Sequence, residues 1–280
     1  MARYLTMCGR IAAQACLLLL MAAAVAQRRT DGNYLGFDEN LYPGDAALQV
    51  LHREFAYTGY WLNAPPGMTT DPWAGKRPAL LRAGFGFLIL FNGRLDRELR
   101  QADPAALGAA DAAAAVRAAR REGFPPNAVI FLDLEEGGRM LPEQLAYIGA
   151  WLKGVAAGGF RAGVYCSAID VPDGPGRTIS TARDLAEHFP GIRLWVANDV
   201  CPPAPGCVAR AIPPDRSGLK AARVWQFAQS PRRRQYTQVC GSTYARDGNC
   251  YAPGLPHSLR TAIDLNTSTS PDPSHGRSIQ

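Results

Sequence analysis

Eight short runs of β-branched, aromatic and other apolar residues recur along the chain, each bounded by Gly, Pro, Asn or Asp: 34–38, 55–61, 86–91, 128–135, 161–165, 193–197, 223–227 and 262–266. Such runs predict strands. Between several of them the pattern changes to a helical one. Residues 105–122 are Ala-rich with little β-branching, and 142–157 open with a Pro and place Leu145, Ile148, Trp151 and Leu152 on one face. Residues 181–189 form a third such stretch, capped by Thr or Ser and stopped by Pro190. Strand alternating with helix predicts right-handed crossovers and a parallel sheet. Eight such strands in a chain of this size predict an α/β fold, a single (β/α)8 TIM-type barrel. A doubly wound open sheet is the alternative, but no Gly-rich phosphate loop follows the first strand. The stretches 198–222 and 228–261 read as long loops after strands 6 and 7 rather than as a second domain.

The ends read differently. Arg3 and Arg10, the apolar run 11–25 and the small residues Ala24-Val25-Ala26 make 1–26 a secretory signal peptide by charge, length and exit chemistry. The run is too short and too Ala-rich for a membrane span. Ala13-Gln14-Ala15 is a poor lipobox, which argues against lipid anchoring at Cys16. The expected product is therefore secreted, extracellular or periplasmic, with no transmembrane segment once the signal is removed. The barrel domain is assigned to 27–267, and the Ser-, Pro- and Asp-rich 268–280 to a disordered tail.

Cysteine usage fits export. Cys201 and Cys207 flank a Pro-rich loop, and Cys240 and Cys250 flank a Gly/Asp/Asn loop, neither with zinc-knuckle spacing. In an oxidising compartment they read as two local disulfides, each worth about 2–3 kcal/mol. Cys166 ends an apolar strand and reads as a buried free thiol.

Composition narrows the field further. The 280 residues are 47% hydrophobic and 19% charged, which excludes a disordered polypeptide. The net charge of +6 is dispersed, and its densest block, Arg232-Arg233-Arg234, reads as a solvated loop, so no nucleic-acid partner is expected. The four histidines lack H-x-x-x-H or H-E-x-x-H spacing, and no G-x-S-x-G elbow or Walker loop occurs. No metal and no cofactor are expected, and a monomer is.

The carboxylates carry the chemistry. Strand-like runs end Gly36-Phe37-Asp38, Leu132-Asp133-Leu134-Glu135-Glu136, Ala197-Asn198-Asp199 and Ile263-Asp264-Leu265-Asn266. In a parallel barrel those ends share the C-terminal rim, where barrel enzymes do their chemistry. Period two turns Asp38, Asp133, Glu135, Asp264 and Asn266 inward, with Phe37, Leu132, Leu134 and Leu265 outward. Two acids at i and i+2 on one face suit a coupled pair, one protonated and one ionised. The competing reading makes these acids helix caps or partners of Arg139 or Arg161. Asp199 is ambiguous between rim and turn, and Glu136 points to the other face. Trp61, Tyr165 and Trp225, with Gln226 and Asn266, add the aromatic platforms and amides of a carbohydrate cleft. Trp195 reads as core.

The ordered landmarks G-F-D at 36–38, F-L-D-L-E at 131–135, G-V-Y at 163–165, L-W-V-A at 194–197, W-Q at 225–226 and I-D-L-N at 263–266 resemble family 25 lysozyme-type glycoside hydrolases. The chain from about 33 to 267, with G-F-D-x-N at 36–40 and L-x-x-G-F-G-F-L-I-L-F at 81–91, more closely resembles the glycoside-hydrolase-like family known as domain of unknown function 1906. The resemblance implies hydrolysis of an N-acetylated cell-wall-type glycan. In it Glu135 is the general acid, the carboxyl expected to be raised, and Asp133 steadies the substrate's 2-acetamido group or the oxocarbenium-like transition state. Asp38 and Asp264 tune those acids and hold substrate, with Tyr165 and Gln226 lining the cleft. Asn198-Asp199 departs from the family's aromatic after L-W-x-A. A catalytically inactive barrel that binds glycan or serves the envelope is the alternative.

Overall fold

The structure, a computed structural model, describes residues 29–30, 32–198, 211–229 and 263–277. The proposed signal peptide, Asp199 and the four loop cysteines lie outside the described residues. Strands β1 (Asn33–Asp38), β2 (Tyr57–Trp61), β3 (Gly86–Asn92), β4 (Val129–Asp133), β5 (Arg161–Ser167), β6 (Arg193–Ala197), β7 (Ala222–Ala228) and β8 (Asp264–Ser268) follow the eight apolar runs. They pair in sequence order, and β8 returns to β1 to close the barrel. Helices α1 (Leu48–Glu54), α2 (Arg77–Ala83), α3 (Asp96–Leu99), α4 (Pro104–Arg121), α5 (Pro142–Ala157) and α6 (Thr181–His188) fill the crossovers as far as β6. Helix α4 starts where Asp103 accepts the amides of Ala105 and Ala106, one residue before Pro104 at the first helical position.

The strand interiors are buried on both faces, which is why they read as unbroken apolar runs. Outside, Phe91 packs against Trp151 of α5, and Tyr60 reaches Glu122 at the end of α4. Inside, Phe131, Tyr165 and Trp195 stack across neighbouring strands. Trp195 is core, as expected from the sequence.

The barrel departs from the expectation in one direction. Strands β1 to β7 are parallel, but β8 runs antiparallel to both β7 and β1. The acid at 264 therefore reaches the rim by starting its strand, not by ending it, and lies opposite Asp38 in the register. Strand β4 is also shorter than its apolar run. It stops at Asp133, so Glu135 stands just beyond it, exposed.

The expected disordered tail is a correction. Residues 268–277 close the strand and then turn under the barrel. Ser274 is fully buried between β3 and β4: it accepts the Ile89 amide on Oγ and the Val129 amide on its carbonyl, and donates its own amide to Phe87. Asp272 accepts the amides of Phe87, Gly276 and Arg277. Short polar residues supply the partners that strand ends lack, so a disorder-like composition is used as a staple. Ser274→Ala leaves the buried Ile89 amide without its partner and should lower stability by about 1–3 kcal/mol. Truncation before Pro271 should lower it further, and urea melts of both variants check the order.

Candidate active site

The mouth of the barrel is built from strand ends. Gly36 is where it is because the Tyr57 ring lies across the strand: a Cβ there would sit 2.1 Å from a ring carbon. A Cβ at Gly59 would sit 2.7 Å from that of Asp38. These two glycines let Asp38 and Tyr57 share the inner face.

Four carboxyls converge there. Tyr165 feels the charge of Asp133, Asp38, Asp264 and Glu135, which together with burial hold its hydroxyl protonated. Asp38 is buried; its Oδ1 accepts from Asn266 Nδ2 at 2.5 Å and Gln226 Nε2 at 2.9 Å. Burial raises Asp38 to about 6, those two hydrogen bonds opposing the rise and Glu135 adding to it. Gln226 Nε2 also lies 3.4 Å from Asp264 Oδ2.

Asp133 is only 3% exposed, and no N–H or other fixed donor reaches either of its oxygens. Burial raises its carboxyl well above the usual range, and the negative charges of Glu135 and Asp38 add to this. Burial and those two charges favour the protonated form of Asp133. Burial thus pushes up the carboxyls of both Asp133 and Asp38. Tyr57 also brings a buried hydroxyl without a hydrogen-bond partner into the electrostatic reach of Asp38.

Arg139 pairs with Asp173 and Asp184, so its reading as a partner of the site acids fails. Glu136 accepts the Asp96 amide and Gln144, a structural role on the other face as expected. Beside Glu135 lies a depression of about 270 Å³, lined among others by Arg94, Leu134, Met140, Gln144 and Tyr147. Its polar side chains are engaged: Arg94 and Tyr147 both bond Asp111, and Gln144 bonds Glu136.

The expected aromatic platforms divide. Tyr165 joins the site. Trp225 alternates with the inward Gln226, is buried against Phe227, and bonds the Asn198 carbonyl through its indole N–H. That places it in the layer outside the barrel, because period two turns it away from the mouth. Trp61 is buried near the rim and bonds the Glu39 carbonyl. Two contributors went unseen in the sequence. Gln229, just past β7, bonds both Tyr165 and Gln226. Tyr57 was counted only as part of a strand; a tyrosine paired in register with Gly36 was the available signal. Among the described residues no group of His, Cys, Asp and Glu could hold a metal ion, and no helix is long and apolar enough to cross a membrane. Cys166 is buried and free, its thiol pushed up by burial.

Comparison with known proteins agrees with this architecture. Residues 67–198 match the family described as Rv2525c-like, glycoside hydrolase-like domain. The fold is similar to that of the spore cortex lytic enzyme SleM of Clostridium perfringens, at 15% identity over 87% of this chain and 70% of that one, with a TM-score of 0.51. The Tat-secreted protein Rv2525c of Mycobacterium tuberculosis aligns at 15% identity over 88% of this chain and 98% of that one, TM-score 0.48. A family 25 glycosyl hydrolase from Bacillus anthracis aligns at 10% identity over 86% and 92%, TM-score 0.47. No curated protein matches the chain by sequence.

Proposed function

We propose that this glycoside hydrolase-like barrel is an exported enzyme that hydrolyses an N-acetylated, cell-wall-type glycan at the Asp38–Asp133–Glu135–Asp264 cluster. The observation that carries the reading is the convergence of four carboxyls about Tyr165, two of them raised by burial. Glycoside hydrolysis needs one carboxyl that delivers a proton and one that answers positive charge developing on the sugar. We assign the first to the Asp133–Glu135 pair: Glu135, exposed at the mouth, hands a proton to the leaving oxygen, and Asp133, its carboxyl raised by burial, stays behind as the buried partner. Asp38 and Asp264, across one pair of strands, supply fixed negative charge beneath the sugar.

This assignment sets a pH dependence. Asp38 must be ionised to act as a fixed charge, and its carboxyl titrates at about 6. Activity should therefore fall as pH drops through about 6, where that charge is lost. Cleavage of soluble N-acetylated oligosaccharides, followed by mass spectrometry from about pH 4 to pH 9, tests both the reaction and this acid limb. Absence of cleavage at every pH would overturn the reading. The burial of Asp133 favours one other reading, a glycan-binding barrel without turnover, because a 3%-exposed carboxyl offers little surface to a substrate.

A further inference from the structure

A primary amide presents an oxygen on one side and an NH2 on the other, and nothing in its shape decides which side faces which neighbour. Asn266 and Gln226 both face Asp38, so the direction each amide takes decides whether the buried carboxyl meets N–H groups or carbonyl oxygens. We propose that Trp195 and the Tyr165–Gln229 pair are positioning residues that lock both amides with N–H toward Asp38. This builds on the glycosidase reading, but the geometry stands without it.

For Asn266 the lock is the indole of Trp195. An indole N–H can only donate, and Trp195 Nε1 lies 2.9 Å from Asn266 Oδ1. Both side chains are fully buried, so water cannot replace a lost partner. Turning the amide over would set N–H against N–H at Trp195 and a carbonyl oxygen against the Asp38 carboxyl. Asn266 Nδ2 is thereby committed to Asp38 Oδ1.

For Gln226 the lock has two parts. The Tyr165 hydroxyl accepts from Gln229 Nε2 at 3.0 Å, which leaves its own proton for Gln226 Oε1 at 2.7 Å. Gln229 Nε2 also lies 2.7 Å from the same Oε1. While Gln229 donates, the two donors on one oxygen hold that oxygen toward β5 and the end of β7, so Nε2 faces Asp38 and Asp264. The two locks are independent and meet on one atom, Asp38 Oδ1.

The effect runs beyond Asp38. Glu135 acts on it, Asp264 lies opposite it in the register, and Asp133, Tyr57 and Tyr165 sense its charge in turn. Two N–H donors favour its ionised form against burial. An ionised Asp38 in turn opposes the ionisation of Asp133. A tryptophan in the barrel core thus sets the protonation of acids it does not touch.

The test is Trp195→Phe, which keeps an aromatic ring and removes the N–H. With carboxyl-labelled aspartate, the Asp38 signal followed by NMR should titrate about one pH unit higher than in the unaltered protein. Trp225→Phe, which removes an indole N–H bonded to a backbone carbonyl on the outer face, should leave Asp38 where it was. Tyr165→Phe releases the second lock and should raise Asp38 likewise; it also decides the matter if Trp195→Phe does not fold. An Asp38 midpoint unchanged in the folded variants, or moved equally by Trp225→Phe, would overturn the proposal. Because the readout needs no turnover, it stands or falls separately from the glycosidase reading. Should the enzyme cleave glycan, the acid limb of its rate must move upward by the same amount in Trp195→Phe.

Discussion

Glu135→Gln should reduce glycan cleavage by about 10²–10⁴-fold while leaving the melting temperature unchanged. The side chain is exposed just past the end of β4, so the substitution creates no cavity and buries no new group. Glutamine keeps the size and can still donate to Asp133 through its amide. What it loses is the transferable proton, since an amide does not ionise at working pH. Rate and thermal melting measured on the same preparation check the pair of outcomes. A parallel loss of both would assign Glu135 to the fold instead.

Asp133→Asn should do the opposite to stability, raising it at neutral pH and lowering activity. Asp133 titrates from 3.8 in the unfolded chain to well above that in the folded one. The folded state therefore binds a proton that the unfolded state releases, and stability from this group falls as pH rises above 3.8, by about 1.4 kcal/mol per pH unit, until the folded carboxyl itself ionises. Asparagine does not titrate and keeps an N–H for Glu135, so it removes the whole slope. The variant should be more stable at pH 7, with a higher melting temperature, and the gain should vanish near pH 4. Melting curves at the two pH values decide it. A variant destabilised equally at both would mean that Asp133 is held by partners other than Glu135.

The barrel was legible because strands buried on both faces leave long apolar runs, and each of the eight runs overlaps a strand. Short helices such as α1, with His52 and Arg53 in its last turn, lacked a sustained apolar stripe and were not seen. The direction of β8 was invisible for a different reason. A period of two reads the same forward and backward, so the pattern that turned Asp264 inward could not say which end of its strand lay at the mouth. The acids themselves were readable as types at strand ends. Their charge state was not, because burial depends on packing from the whole ring of strands. The amides' directions depend on pairs such as Trp195 with Asn266 and Tyr165 with Gln226, which lie 71 and 61 residues apart in the chain. The tail failed on composition, since Ser and Asp that solvate a loose end also serve to cap open strands.

The central claim is that the carboxyl cluster turns glycan over rather than merely holding it. Release of reducing ends from purified peptidoglycan by the unaltered protein, with sedimentation of the protein on the same insoluble polymer, measures turnover and binding together. The account predicts steady release by the unaltered protein, and sedimentation without release by Glu135→Gln. Sedimentation of both proteins with no new reducing ends from either would contradict it.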